Sequence, residues 1–290
     1  MATLNFDPDI VVDQVQQLLT GEQAIDPIVA SGAIKFMPGE IGSGKLGNTI
    51  VIPQLSFPGR FLFSTTPSGS TTFNAVGTTD ATATVNHASY GSSIDDWNLK
   101  AMKANGDPNA ALAKIITSKF YDSLLSMLAS SGGEIYDNAT AYDYSSTGAM
   151  SVAAIRGALN NFGDERETGE KILICHSQQY ADLLGQETTT GADRLAFDGM
   201  GKPIVPQISK IFPYDRMQTD GGPTRYYAFL LKAGACVVYY DPETFEFREW
   251  EDITVQPTTM KWKFEGYFAA KLLNPLGGGS KKGGIRIKTQ

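Results

Sequence analysis

The chain is short of the residues on which most catalytic and metal sites depend. Of its 290 residues, two are cysteine and two are histidine. Cys175 and Cys236 lie in apolar stretches, Lys171-Ile172-Leu173-Ile174-Cys175 and Ala235-Cys236-Val237-Val238, where inert buried thiols are the ordinary finding. A disulfide between them stays open at this stage, because sequence does not fix their separation. With His87 and His176 they show no paired spacing of the kind zinc requires, so neither a metal nor a cofactor is expected. Charged residues make up 19% of the chain, below the roughly one quarter usual in soluble domains, as expected where neighbours cover surface in place of water. Basic charge is scarcer than acidic, with a formal net charge of −7. That excludes a basic domain built to read nucleic-acid sequence and suits a soluble chain that must avoid premature association. Met1 is followed by a polar, acid-bearing start with no basic leader. The longest apolar stretch, residues 227–240, is broken by Lys232 and is too short to span a bilayer. Folding in a cytoplasm, with no membrane partner, is the expectation.

What is present supports a real core. Hydrophobic residues reach 42%, and the length accommodates one large domain or two modest ones. Asp7-Pro8 and Asp26-Pro27 are helix-opening marks, since Asp accepts from the free N–H groups of a first turn and Pro fits the first helical position. Val11, Val15, Leu18 and Leu19 follow the first mark at helical spacing, a stripe too short to be stable unless it lies against something. Residues 38–48 are rich in glycine, residues 49–53 read as a strand ended by Pro53, and Pro58-Gly59 marks a turn. Residues 64–84 are dominated by Ser, Thr and Gly, with alternation returning over residues 82–87. This stretch cannot bury a core of its own. A disordered linker, a long exposed hairpin and an arm ordered on a partner all fit it, and its Thr and Phe content and flanking strands favour the hairpin or arm.

Gly106-Asp107-Pro108 opens the strongest local signal. Leu112, Ile115, Ile116, Phe120, Leu124, Met127 and Leu128 recur at helical spacing up to Ser130. A second helix carries Val152, Ile155, Leu159 and Phe162 and stops at Gly163; residues 171–175 then form a short strand, and Ser177 can cap a helix bearing Tyr180, Leu183 and Leu184. Further strands are expected at residues 204–205, 226–231, 235–240 and, by alternation of Val255, Trp262, Phe264 and Tyr267-Phe268, across residues 254–273. No repeat of solenoid period is visible.

Four features invite a chemical reading. Gly39-Glu40-Ile41-Gly42-Ser43-Gly44-Lys45-Leu46 matches a phosphate-binding loop through Lys45, then puts Leu46 where a hydroxyl must hold Mg²⁺, and a strand rather than a helix follows. Cys175-His176 resembles a nucleophile and base, but neighbours on a strand point to opposite faces. Glu246, Glu249, Glu251 and Asp252 could bind a hard cation, although Arg248 offers them a partner and a solvated or interface face is the commoner meaning of such a run. Lys281, Lys282, Arg286 and Lys288 form a basic tail behind Gly277-Gly278-Gly279-Ser280. Contact with DNA phosphates or an acidic neighbour, a flexible terminus and sequence added for expression remain open for it.

The order of these features resembles the major capsid protein of tailed bacteriophages, whose fold is shared with encapsulins and the floor of herpesvirus capsids. The best-matched stretches are Asn86-His87-Ala88 with Ile94-Asp95-Asp96, Gly106-Asp107-Pro108 and its helix through Leu128, and Asn161-Phe162-Gly163-Asp164-Glu165. They continue with residues 172–184, including His176-Ser177 and Tyr180-Ala181-Asp182-Leu183, and end with Leu231-Lys232-Ala233-Gly234-Ala235. None is stringent alone; order and spacing carry the likeness over almost the whole chain. It implies an α+β fold with an N-arm (1–46), an extended β-hairpin loop (47–90) reaching over the adjacent subunit, and a peripheral domain with a long spine helix (91–147). An axial α/β domain (148–241), peripheral return strands (242–276) and a flexible basic tail (277–290) complete it. It also implies a structural subunit and no enzyme, assembling as hexamers and pentamers into an icosahedral virion shell around double-stranded DNA in the host cytoplasm. Partners would be a portal protein, a separate scaffold or decoration protein, and packaged DNA by non-specific contact. Relatives that cross-link through a loop lysine are not matched, because residues 47–90 contain no lysine.

Phe57, Arg60, Phe61 and Phe63, near the tip of the implied loop, are candidate anchors on a neighbour, as Phe and Arg are favoured at such contacts; packing within the hairpin is the alternative. For the whole chain the competing readings are an encapsulin-type cargo shell, an α/β enzyme centred on residues 148–240, and a tail-tube or decoration protein. The enzyme lacks a nucleophile elbow, a glycine fingerprint and a triad. The long helix argues against a mainly β tube subunit.

Overall fold

A computed structural model describes residues 6–19, 26–38, 49–56, 77–104, 106–163, 166–167, 169–185, 205–217, 219–220, 225–252, 254, 259–273 and 283–290. In chain order its elements begin with α1 (Pro8–Leu19), α2 (Pro27–Ala30), β1 (Ile34–Pro38), β2 (Thr49–Ser56), β3 (Gly77–Asp95), α3 (Asp96–Ala104), α4 (Pro108–Ala129) and α5 (Glu134–Asn138). Next come β4 (Thr140–Asp143), α6 (Val152–Asn160), β5 (Lys171–Cys175), α7 (Ser177–Leu184), β6 (Ile208–Pro213) and β7 (Thr219–Asp220). The last are β8 (Arg225–Lys232), β9 (Cys236–Tyr240), β10 (Glu246–Asp252), β11 (Thr259–Leu272) and β12 (Gly284–Thr289).

Two mixed sheets organise the chain. The first has the order β1-β9-β11-β3-β2, with β10 also paired to β11; the second has the order β4-β12-β8-β5-β6, with β7 paired to β8. The sheets do not part the chain at residues 148 and 241. β4 and β12 enter the second sheet from outside that range, and β9 leaves it for the first. Between the sheets lies the largest core cluster. It joins Cys236, Val238, Phe268 and Leu272 of the first sheet to Ile172, Ile174, Phe229 and Leu231 of the second. The far face of the second sheet packs Leu173, Cys175, Leu230, Ile285 and Ile287 against Ile155 and Leu159 of α6 and Leu183 of α7. β5 is therefore covered on both faces, which is why Ile172-Leu173-Ile174-Cys175 runs apolar without alternation and the strand is buried at every position from Lys171 on.

The long helix forms as its sequence predicts. Asp107 accepts from Asn109 N–H at 2.9 Å and Pro108 occupies the first turn. The first half of α4 places Leu112, Ala113, Ile116 and Tyr121 with Val11, Val15 and Leu19 of α1 and Phe247 of β10. The second half sends Leu124, Leu125 and Leu128 into the cluster between the sheets. α4 thus ties the N-terminal helix to both sheets, and Tyr121 fixes the crossing by donating to the Leu18 carbonyl at 2.8 Å. Leu128 is fully buried. Leu128→Ala is expected to cost about 2–5 kcal/mol through lost burial and residual cavity, read as a lower denaturation midpoint with unchanged slope. A loss under about 1 kcal/mol would mean that the junction closes around the gap.

Three local expectations are corrected. Strand β2 continues through Pro53 to Ser56; Pro is tolerated because β2 ends its sheet and pairs, among the described residues, only with β3. Ser177 does not cap α7. His176 does: its Nδ1 accepts from Gln178 N–H at 3.1 Å, and the Gln179 side chain accepts from His176 N–H at 3.0 Å. The residues read as the end of a flexible basic tail include β12, which runs antiparallel to β8 and parallel to β4 inside the second sheet. The cysteines are both free and buried in different clusters.

Candidate assembly surface

The feature with the fewest reasons to exist in an isolated molecule is the β2–β3 ribbon. β3 is 19 residues long, about 63 Å at ~3.3 Å per residue. Its second part pairs with β11, from Val85↔Ala269 to Asp95↔Thr259. Its first part pairs with β2, from Thr84↔Thr49 to Gly77↔Ser56. Eight residues of ladder, about 26 Å, therefore run on past the last rung between β3 and β11. A two-stranded ribbon is marginal in water. Its footing is small: Ile52, Ala83, Val85 and Ala269 are buried together, with Ile50, Ala81, Tyr239 and Leu273 against them. Phe57, Arg60, Phe61 and Phe63 belong to the connection between the two strands and lie outside the described residues, as do Lys281 and Lys282 and most of the glycine-rich loop ending at Lys45 and Leu46.

Arg286 and Lys288 do not hang in a tail. The Arg286 guanidinium lies 4.0 Å from the Tyr136 ring and donates to the Tyr136 carbonyl at 2.8 Å, and Lys288 Nζ is 5.5 Å from the Tyr227 ring. These cations fasten β12 to α5 and β8, a cation–π use of basic side chains, and Arg286 is turned into its own subunit.

The other candidate groups are likewise engaged in structure. Burial pushes the Cys175 thiol up to about 12, so it carries no thiolate at neutral pH, while the His176 ring serves as a helix cap and lies 4.5 Å from the Tyr226 ring. The acidic run of β10 is dispersed. Glu246 receives both Nε and Nη2 of Arg248 at 2.6 and 2.7 Å, Glu249 accepts from Phe6 N–H at 3.1 Å, and Asp252 accepts from Lys261 Nζ at 2.5 Å.

Hydrogen bonds from Lys261 and then Thr254 hold the Asp252 carboxyl down from 3.8 to about 2. A carboxyl lowered in the folded state stabilises that state above its unfolded value and loses the contribution as pH falls toward its folded value. Asp252→Asn is therefore expected to remove the part of acid destabilisation that develops between about pH 4 and pH 2. Denaturation midpoints of both proteins across that window check it, and parallel curves would mean that Asp252 titrates at the ordinary value.

The exposed apolar side chains carry a signal that the sequence reading missed. Trp97 on α3 is 79% exposed and Trp250 on β10 is 48% exposed, whereas Trp262 is buried in the core. A groove of about 350 Å³ also runs between α4 and the first sheet, lined by His87, Tyr90, Phe120, Met127, Phe264 and Phe268. Among the described residues no helix is long and apolar enough to cross a membrane.

No protein-family model matches the chain, and no curated protein matches its sequence. Solved structures do match. The capsid of Ralstonia phage GP4 superposes with a TM-score of 0.57 at 11% identity, covering 89% of this chain and 87% of that one. The capsid of an empty GTA particle gives 0.56 at 12% identity, covering 89% and 88%. The capsid of Myoviridae phage XM1 gives 0.51 at 10% identity, covering 91% and 92%. The chain has the phage major-capsid fold. The likeness runs over about nine-tenths of both partners. At such identity it is the architecture that is held in common.

Proposed function

We propose that this chain is the repeating structural subunit of a tailed-phage head. Copies assemble as hexamers and pentamers into an icosahedral shell around double-stranded DNA, in the host cytoplasm, and remain in the virion. The observation that carries this reading is the superposition on phage capsids across about nine-tenths of both chains. The ribbon supports it: a ladder that outruns its own sheet is stabilised by main-chain pairing and packing on a neighbour. The chain acts as a building unit and not as an enzyme, for its thiols are buried and protonated, and of its acidic run Glu246 and Asp252 are held in ion pairs and Glu249 accepts from the Phe6 backbone. A portal protein and a separate scaffold or decoration protein are the partners such a shell takes, and its contact with packaged DNA is non-specific, through phosphates.

Electron micrographs of the overexpressed protein test the reading. Closed shells or ring-shaped capsomers are expected, with DNA and no cargo enzyme in shells taken from infected cells. A monodisperse small particle at every concentration would overturn it, and a co-purifying cargo protein in place of DNA would turn it toward an encapsulin.

A further inference from the structure

Little apolar surface holds α7 in place. Its 8 residues are too few for a helix to stand alone in water. Only Leu183 and Gln179 of its side chains are buried, with Tyr180 partly buried beside them. One of the two buried anchors is therefore polar. Gln179 is fully buried, a position that costs free energy unless its polar atoms find partners. Both are paired. Its Oε1 accepts from His176 N–H at 3.0 Å, and its Nε2 donates to the Thr289 hydroxyl at 2.8 Å and to the Tyr226 carbonyl at 3.3 Å. Exchanging the oxygen and the nitrogen would set an acceptor against the Tyr226 carbonyl and a donor against His176 N–H, so the amide has one workable orientation.

These partners converge on one rung of the second sheet. Tyr226 and Thr289 stand opposite each other at the end of the β8–β12 ladder. The Tyr226 ring also lies 4.5 Å from the imidazole of His176, whose Nδ1 accepts from Gln178 N–H. Both halves of the α7 cap thus rest on that rung, and Thr289 is 110 residues away from Gln179 in sequence. A capping box is ordinarily a local device in which Glu serves as well as Gln, and a carboxylate suits the positive end of a helix better than an amide. Only an amide has N–H groups to give to both Thr289 and Tyr226.

We propose that Gln179 is a latch through which the end of β12 holds the start of α7 in order. Closure of the Tyr226–Thr289 rung presents two acceptors side by side. The amide nitrogen turns to them, and its oxygen is left facing His176 N–H. Without the Thr289 hydroxyl, an N–H of a buried amide has no partner. The side chain then either stays unsatisfied or swings out to water, and the first turn of α7 loosens in both cases. The latch belongs to the single subunit and does not rest on the shell reading.

Hydrogen exchange of the full chain, followed by mass spectrometry, tests the latch. Thr289→Val keeps the branched shape and removes the hydroxyl. It is expected to speed exchange over residues 176–180 at least about tenfold, the effect of one buried polar group left unpaired, while β3 and β11 of the first sheet exchange as before. Thr289→Ser retains the hydroxyl and should leave residues 176–180 close to the wild-type rate. Gln179→Glu keeps the acceptor for His176 N–H and gives up both donors, so it separates a latch from a plain cap. The latch predicts faster exchange there, and a plain cap predicts no change. Unaltered exchange over residues 176–180 in Thr289→Val, or an equal acceleration across both sheets, would overturn the latch. So would Gln179→Glu protected like the wild type. Should Gln179→Glu fail to fold, the two Thr289 variants decide the question alone.

Discussion

Removal of residues 284–290 is expected to abolish folding, not merely to trim a terminus. The segment is β12, and it occupies an inner position of the second sheet, with β8 on one side and β4 on the other. Its register runs from Gly284↔Leu231 to Thr289↔Tyr226 with β8, and from Ile285↔Thr140 to Lys288↔Asp143 with β4. Ile285, Ile287 and Thr289 are fully buried. Loss of two buried Ile side chains costs about 2–5 kcal/mol each, and the exposed edges of β4 and β8 add unsatisfied backbone groups. The total reaches the whole stability of an ordinary domain, about 5–15 kcal/mol. The truncated chain should accumulate as insoluble protein and show no cooperative thermal transition. A shorter cut sharpens the test. Gln290 contributes one backbone hydrogen bond, from its N–H to the Gly148 carbonyl at 3.2 Å, so its removal alone should shift stability by no more than about 1 kcal/mol. A chain ending at residue 283 that melts like the intact protein would return these residues to the role of a flexible tail.

That misreading shows where sequence ceased to be informative. Ile285-Arg286-Ile287-Lys288-Thr289 alternates with period two, the mark of a half-buried strand, but the preceding glycines and the basic charge pointed to a solvated terminus. Its burial is decided by β8 and β4, about 60 and 140 residues away, and no local pattern contains that information. α4 was legible because its determinants are local: a cap at Asp107, Pro108 in the first turn and apolar spacing through Leu128. β5 was legible because a strand covered on both faces calls for an unbroken apolar run, here Ile172 to Cys175. β11 follows its expected alternation, burying Met260, Trp262, Phe264 and Phe268 on one face. β3 was legible only in part. Residues 77–95 hold few large apolar side chains, and their strand state is imposed by ladders to β2 and β11. The His176 cap escaped because Ser177, the commoner capping type, stood beside it. Of the candidate assembly surface, the ribbon was legible as a polar hairpin between strands. Trp97 and Trp250 were not, since a ring's exposure follows from which partners the fold denies it.

Deletion of residues 57–63 is expected to separate assembly from folding. The segment lies in the connection between Ser56 of β2 and Gly77 of β3, beyond the last rung of the ladder. Shortening that connection by about a third changes its closure entropy by less than the ~0.6 kcal/mol that halving it would bring. The ribbon keeps its ladder and its footing on Ala269, Tyr239 and Leu273. The deleted chain should therefore keep its thermal midpoint to within a few degrees, a shift of about 1 kcal/mol corresponding to only ~2–4 °C in a domain of this size. Under the shell reading the same deletion removes Phe57, Arg60, Phe61 and Phe63, the candidate anchors on a neighbour. Anchors of that kind contribute about 2 kcal/mol or more each, and an icosahedral shell repeats every contact many times. Assembly should fail outright while the subunit stays folded, seen as a single slow-sedimenting species with an unchanged circular dichroism spectrum. Normal shells from the deleted chain would place the four residues inside the ribbon's own packing. A lowered midpoint together with failed assembly would make them part of the subunit's stability, so the decisive result is the pair of measurements taken on one preparation.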